Sequence, residues 1–157
     1  MLLYFMRHAE AEDVAAGSSD AQRRLTERGI ERSREAGVAL KAMGITLDLI
    51  LTSPLRRAVQ TAEAVGQVLE VAVAEADALG SPSRDDLQQM WKEHGQPANL
   101  MVVGHEPDFS ALVGDFIGGA EVEMKKGAIA CLDCQAFVRG GAVLRWLATG
   151  KQLSLIA

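Results

Sequence analysis

The 157-residue chain lacks an apolar run long enough to cross a membrane, and it has only two cysteines. A spanning helix needs roughly 20 consecutive apolar residues, and a disulfide scaffold needs several cysteine pairs. The start of the chain also lacks the basic segment, apolar segment and cleavage site of a secretory signal peptide. These absences predict no membrane contact and a reducing, cytoplasmic location.

An excess of positive charge is absent as well. The chain carries 16 lysines and arginines against 21 aspartates and glutamates, a net charge of −5. Proteins that bind nucleic acid or anionic membranes through a broad surface carry a basic face, so the charge argues against both partners. Any anionic ligand must instead be attracted by a local group of arginines.

The two cysteines, Cys131 and Cys134, form a lone C-x-x-C pair. A zinc site needs two further ligands, and the chain has no second cysteine pair. A redox pair usually opens a helix after a strand, whereas this pair lies in or just after a strand-like segment, residues 127–132. We therefore interpret both cysteines as structural.

Strand-like apolar segments alternate with helical segments along the chain. The predicted strands are residues 2–6, 47–52, 99–103, 127–132 and 142–147. Helices are predicted from Thr26 to about Met43, from Ser53-Pro54, after Ser83 and from Pro107, and residues 71–79 are predicted to be extended or irregular. This alternation predicts one α/β domain over residues 1–157, with a mainly parallel sheet covered by helices on both faces.

Arginine and histidine residues follow three of the predicted strands. Arg7 and His8 end the first strand, Arg56 and Arg57 follow the second, and His105 follows the third. The carboxyl ends of parallel strands meet at one edge of a sheet, where ligands bind in open α/β folds. The sequence therefore predicts a single site built from all three strand ends.

The two arginines after the second strand stand at a predicted helix start, where cations are disfavoured by a few tenths of a kcal/mol. A bound anion explains them, because helix N-termini bind phosphate and arginine grips two phosphate oxygens with its planar fork. A solvated surface pair is the alternative. His94, near the end of a predicted helix, is interpreted as structural.

Four ordered motifs of this chain resemble those of the histidine phosphatase superfamily, also called the phosphoglycerate mutase-like family. They are Arg7-His8-Ala9 for R-H-G, residues 20–29 for D-x-x-R-x-L-T-x-x-G, residues 53–61 for S-P-x-x-R-A-x-Q-T, and Gly104-His105-Glu106-Pro107. Two positions depart from the pattern, since Ala9 replaces the usual glycine and Arg24 stands where proline often follows the arginine.

Within that superfamily, the chain is similar to the small bacterial phosphohistidine phosphatases of the SixA type. The segment between Arg57 and His105 is short and leaves little room for the inserted lid of larger members. The resemblance implies a three-layer α/β/α sandwich without a lid insertion.

The resemblance also implies a covalent mechanism. His8 would attack phosphorus and form a phosphohistidine that water then hydrolyses. Arg7, Arg57 and His105 would hold the phosphoryl oxygens, and Arg23 would add a contact at the rim. Arg57 is the arginine whose spacing from Ser53-Pro54 fits the family motif, so Arg56 is expected to point outward. No metal or other cofactor is implied, and the sequence has no carboxylate cluster that would hold a metal ion.

The general acid is left open by the sequence. Superfamily members that act on alcohol esters use a carboxylic acid to protonate the leaving oxygen. Asp77 or Glu75 would serve here, or neither, since solvated loop carboxylates are the ordinary interpretation of both residues.

An open site and an uncertain acid favour a phosphohistidine phosphatase whose substrate is a phosphorylated protein, for example a histidine phosphotransfer domain. Two alternatives stay open: a phosphatase of a small phosphorylated metabolite, and a non-catalytic phosphate-binding module on the same fold. Mutase activity is disfavoured because it needs an enclosed site.

Overall fold

The computed structural model describes the whole chain, Met1–Ala157. The six strands are β1 Leu2–Arg7, β2 Leu49–Thr52, β3 Val73–Glu75, β4 Asn99–Gly104, β5 Ile129–Cys134 and β6 Ala142–Ala148. The five α-helices are α1 Glu27–Ala42, α2 Arg56–Leu69, α3 Arg84–Glu93, α4 Asp108–Phe116 and α5 Gly150–Ile156. Among them there is no helix with the length and hydropathy needed to cross a membrane.

All six strands form one sheet in the order β3-β2-β4-β1-β5-β6. Neighbours from β3 to β1 are parallel, and β5 runs antiparallel to both β1 and β6. The predicted α/β fold with a mainly parallel sheet is therefore confirmed. The segment between Arg57 and His105 holds only the rest of α2, β3, a 3-10 turn, α3 and β4, with no inserted lid.

The central strand β1 is buried on both faces, which explains why it has an unbroken apolar sequence. Leu3 and Phe5 pack into a core with side chains of α3 and α4. Tyr4 and Met6 point the other way and pack into a second core with side chains of α1, α2 and α5. Two cores, one on each face of the sheet, give the predicted three layers.

The strand register aligns the ends of β1, β2 and β4. Met6 pairs with Val103, and Val103 pairs with Thr52, so these three residues form one row across the sheet. The next residue of each strand lies just beyond this row. The predicted convergence of three strand ends therefore follows from the register itself.

The predicted start of α2 at Ser53-Pro54 was wrong by two residues. Leu55 has extended backbone angles and is the N-cap, while the Ser53 hydroxyl accepts a hydrogen bond from the Leu55 N–H at 3.3 Å. This local bond satisfies the backbone in a non-helical turn, as serine side chains often do. Arg56 and Arg57 are consequently the first two residues of the helix.

Two short elements were missed by the sequence analysis. The edge strand β3 lies in the segment predicted to be extended or irregular, and its three residues are too few for a periodic pattern. The final helix, α5, begins with a capping box in which the Thr149 hydroxyl accepts from the Gln152 N–H. That T-x-x-Q pattern was a readable helix-start signal.

Cys131 and Cys134 both lie in β5, where they are buried free thiols. They therefore have the environment expected of structural cysteines. No group of three or more histidine, cysteine, aspartate or glutamate side chains is arranged to hold a metal ion.

The close approach of α1 to the chain after β1 gives a test of the packing. A β-carbon at Gly29 would lie 2.1 Å from the carbonyl oxygen of Glu10, so Gly29→Ala must displace backbone. We expect the variant to lose about 1–3 kcal/mol of unfolding free energy in urea titrations. Gly80→Ala is the control, because a β-carbon there meets nothing within 4 Å. Equal stability of the two variants would contradict this packing.

Candidate active site

The structure brings together the four residues that were singled out at the strand ends. His8, Arg57 and His105 are 6%, 7% and 7% exposed, and Arg7 is half-buried. The rings of His8 and His105 have centroids 5.3 Å apart, and Arg57 Nε lies 3.3 Å from His8 Nε2. Such burial of basic groups is uncommon without partners, which marks this cluster as a candidate functional site.

The backbone fixes which nitrogen of His8 carries its proton. Nδ1 lies 2.8 Å from the carbonyl oxygen of Ala9. A carbonyl can only accept a hydrogen bond, so Nδ1 must be protonated. Nε2 is then unprotonated, and its lone pair accepts a hydrogen bond from the Arg57 Nε–H. This tautomer makes Nε2 the nucleophilic atom of the site.

His105 is oriented by Ser53, which follows β2. His105 Nε2 lies 2.6 Å from Ser53 Oγ, and that oxygen already accepts from the Leu55 N–H. The hydroxyl proton has no other acceptor within reach, so donation to Nε2 satisfies it and leaves the imidazole proton on Nδ1.

The only buried side-chain nitrogens or oxygens without a hydrogen-bond partner are Arg7 Nε and His105 Nδ1. Buried polar atoms are nearly always paired, and the exceptions call for an explanation. Arg7 is otherwise held by donation from Nη1 to the carbonyl of Met124 at 3.0 Å. Two spare donors beside the His8 nucleophile suit an anionic ligand.

The outer side of Arg57 is held by Asp20. Arg57 Nη1 donates to the Asp20 carbonyl at 3.0 Å, and Nη2 donates to its carboxylate at 3.1 Å. Arg23 donates to the same carboxylate at 3.1 Å and to the carbonyl of Glu12 at 2.7 Å. Arg23 therefore lies at the rim and contacts Asp20 rather than either histidine.

The surroundings keep both histidines neutral at neutral pH. Burial lowers the pKa of His8 to about 4, the Ala9 hydrogen bond opposes this shift, and the charges of Arg57 and Arg7 act in the same direction as burial. Burial also lowers the pKa of His105 to about 4, with a further contribution from Arg57. The hydrogen bond from Arg23, followed by the charge of Arg57, holds the Asp20 pKa below its usual value.

The two acids considered from the sequence make no polar contact with this cluster. Glu75 and Asp77 are exposed, and neither forms a hydrogen bond or ion pair with a residue of the site. Glu75 instead lines a surface groove with Arg56, which is also exposed and points outward as predicted. The carboxylate in contact with the site is Asp20.

Supporting residues were missed by the sequence analysis, although two of them lie inside a motif that it quoted. Thr61 Oγ1 accepts from the Ala9 N–H at 3.1 Å and donates to the Arg57 carbonyl at 2.8 Å, which ties the His8 segment to α2. Gln60 Oε1 accepts from the Leu25 N–H at 2.8 Å. The Q-T pair at the end of the motif of residues 53–61 was the sequence signal for Gln60 and Thr61. The role of the Met124 carbonyl has no sequence signal, because every residue has a carbonyl group.

Comparison with known proteins agrees with this geometry. A family model described as histidine phosphatase superfamily (branch 1) matches residues 3–96. Phosphohistidine phosphatase SixA of Escherichia coli K12 is 33% identical over 126 residues, which cover 76% of each protein. A solved structure of SixA complexed with tungstate superposes with a TM-score of 0.84 at 28% identity, covering 98% of this chain and 99% of the other.

A 2,3-bisphosphoglycerate-dependent phosphoglycerate mutase of Parvibaculum lavamentivorans is 34% identical over 107 residues. The match covers 59% of this chain and 50% of the mutase. The chain therefore spans about half the length of this mutase, whereas it superposes on nearly the whole of the SixA structure.

The depressed histidine pKa values predict how stability depends on pH. Between about pH 4 and 6.5 the unfolded chain binds protons at His8 and His105 that the folded protein does not bind. Stability should therefore fall as pH falls through this window, with each histidine contributing up to about 1.4 kcal/mol per pH unit. Urea unfolding from pH 7 to pH 4 measures this slope. A His8→Gln/His105→Gln variant should show a flatter dependence, and an unchanged slope would contradict the assignment.

The bridging role of Thr61 gives a second test. Thr61→Val removes both hydrogen bonds and leaves the Ala9 N–H buried without a partner, which should cost about 1–3 kcal/mol of unfolding free energy. Thr61→Ser keeps the hydroxyl and should retain most of that stability. Urea titrations of the three proteins provide the comparison, and equal losses for valine and serine would rule out the bridge.

Proposed function

The chain belongs to the histidine phosphatase superfamily, and we propose that it removes a phosphoryl group from a histidine of a phosphorylated protein. The family match and the SixA relatives indicate a phosphatase. The proposal concerns the substrate and the role of each residue. The observation that carries it is the unprotonated Nε2 of His8, which lies beside Arg57 and two buried donors without partners.

In the first step, His8 Nε2 attacks phosphorus in line with the bond to the substrate nitrogen. A new P–N bond forms on His8, the old one breaks, and its electron pair stays on the leaving nitrogen. Arg7, Arg57 and His105 donate hydrogen bonds to the phosphoryl oxygens and stabilise their charge. The tungstate bound by the solved SixA relative is a tetrahedral oxyanion, which supports a site of this kind.

In the second step, water attacks the phosphohistidine, phosphate departs, and the electron pair returns to Nε2. The Ala9 carbonyl assists because it holds the proton on Nδ1. A phosphorylated imidazole that is protonated on its other nitrogen leaves as neutral imidazole rather than as an anion. One backbone hydrogen bond therefore prepares His8 both as a nucleophile and as a leaving group.

The lack of a good proton donor among the acids near the site favours phosphohistidine over an alcohol ester as the substrate. An alkoxide is a poor leaving group without an acid, since its conjugate acid has a pKa near that of water, about 15.7. Imidazolium has a pKa of about 6.5, so an imidazole whose other nitrogen is protonated departs as a weak neutral base and needs no acid from the enzyme. Asp20 is a poor proton donor at neutral pH, since Arg23 and Arg57 lower its pKa. Glu75 and Asp77 are exposed and form no hydrogen bond or ion pair with a residue of the site.

The shape of the fold supports a macromolecular substrate. No lid is inserted between Arg57 and His105, and the chain aligns with nearly the full length of the SixA structure. A site without an inserted lid admits a histidine presented on a protein surface, such as that of a histidine phosphotransfer domain. A small phosphorylated metabolite is the other candidate, because a phosphoglycerate mutase is also a relative. The cytoplasmic location stays a prediction.

The proposal is tested with a histidine-containing peptide phosphorylated by phosphoramidate and with a panel of sugar and nucleotide monoesters. We expect faster phosphate release from the peptide and an acid-labile phosphoenzyme in the wild type. His8→Ala should reduce release to background, and Arg57→Gln should slow it by about 10²–10³ because it removes a donor to the transition state.

His94→Ala is the matched control, because this exposed histidine lies at the end of α3 and outside the site. Release from esters but not from the phosphopeptide would favour the metabolite phosphatase. Equal background for the wild type and His8→Ala on every substrate would indicate a non-catalytic phosphate-binding module.

A further inference from the structure

A second group of basic residues lies beside the active site and takes no part in the proposed reaction. Arg28, Arg32, Lys126 and Lys151 line a cavity of about 210 Å³ together with Ala9, the residue after His8. We call this cavity the cationic pocket.

The sheet topology places the cationic pocket on the same edge as the active site. Met6 pairs with Ile129 of β5, and Ile129 pairs with Ala148 of β6, so the β1 and β6 ends share one row. α5 with Lys151 begins two residues after Ala148. Two strand spacings of about 4.8 Å separate these ends, so the end of β6 lies about 10 Å from the end of β1.

The loop before β5 connects the pocket directly to the catalytic segment. The Gly127 N–H donates to the carbonyls of both Arg7 and His8 at 3.1 Å, and Lys126 is the residue before it. On the other side, the Thr26 N–H at the start of α1 donates to the Glu10 carbonyl at 3.1 Å. The pocket is therefore built onto the backbone on either side of His8.

The pocket holds more positive charge than its surroundings neutralise. Arg28, Lys126 and Lys151 are exposed and form no ion pair, and Arg32 pairs with Glu35 at 3.2 Å. The one acid that lines the pocket is Glu10, whose carboxylate accepts a hydrogen bond from the Thr26 hydroxyl at 2.9 Å. In a chain of net charge −5, this local excess is a specific feature rather than a property of the whole surface.

We propose that the cationic pocket binds acidic side chains of the phosphorylated protein substrate and so selects phosphohistidines that have carboxylates nearby. This inference rests on the proposed function. The cations of the cationic pocket come from α1, α5 and the loop before β5, and the three that form no ion pair are exposed. The phosphoryl site, in contrast, uses buried donors that converge on one point. Dispersed exposed cations suit several separate carboxylates better than one compact anion.

The distance makes the selection testable with peptides. An extended chain advances about 3.3 Å per residue, so three residues span about 10 Å, the separation of the β1 and β6 ends between which the pocket lies. One peptide carries a block of Asp and Glu beginning three residues from the phosphohistidine, and a second carries Asn and Gln there. We expect the wild type to hydrolyse the acidic peptide with a kcat/KM about tenfold higher at low salt, because several weak exposed ion pairs act together.

The variant Arg28→Gln/Lys126→Gln/Lys151→Gln should lose this preference and treat both peptides alike. The matched control is Arg34→Gln/Lys41→Gln/Lys92→Gln, which removes the same charge from exposed residues without ion pairs outside the pocket. The control should keep the preference. An equal loss in both variants would overturn the pocket and indicate only a general effect of net charge.

A binding measurement separates this inference from the proposed reaction. The unphosphorylated acidic peptide, followed by fluorescence anisotropy, should bind the wild type and the control variant about tenfold more tightly than it binds the pocket variant. Binding without hydrolysis of either phosphopeptide would support the pocket and contradict the proposed function. Equal anisotropy for the wild type and the pocket variant would overturn the assignment of the pocket. Preferential binding of inorganic phosphate in the pocket, in place of the acidic peptide, would overturn it as well.

Discussion

The hydrogen bond from His8 Nδ1 to the carbonyl of Ala9 is the interaction on which the chemistry of this site depends. It decides which nitrogen is a nucleophile, because the other nitrogen must keep its proton to satisfy a carbonyl. Burial and the neighbouring arginines favour the neutral ring, so they act with the hydrogen bond to present an unprotonated Nε2. Two hydrogen bonds hold the backbone around Ala9 in place. The Ala9 N–H donates to the Thr61 hydroxyl, and the Glu10 carbonyl accepts from the Thr26 N–H at the start of α1.

The two arginines of the site are each anchored by other groups of the protein. Arg57 is anchored by Asp20 on its outer side and reaches His8 with Nε. Arg7 is anchored by a main-chain carbonyl and keeps Nε without a partner. Each guanidinium is thus oriented before any ligand arrives, and preorganised donors of this kind cost no rearrangement during reaction.

The sequence predicted the elements that have a strong periodic or motif signal. His8, Ser53 and His105 directly follow β1, β2 and β4, and parallel pairing alone brings such strand ends to one edge of a sheet. The sequence did not predict the contact of Asp20 with Arg57, because a carboxylate 37 positions away along the chain has no local pattern that announces its partner. The sequence analysis placed the start of α2 at Pro54 because it interpreted Ser53 as the helix N-cap. In the structure the Ser53 hydroxyl instead accepts from the Leu55 N–H in a non-helical turn and hydrogen-bonds to His105.

The reversed direction of β5 has a consequence for how this site can diverge among relatives. Because β5 enters the sheet at the edge where the other strands leave it, the loop of residues 117–128 reaches the catalytic segment from the opposite direction. This loop supports Arg7 and His8 through main-chain atoms, namely the Met124 carbonyl and the Gly127 N–H. A main-chain contact places few demands on side-chain identity, so the exposed residues of this loop are free to drift while the reaction is preserved. Recognition and catalysis are thereby encoded in separate parts of the chain and can evolve at different rates.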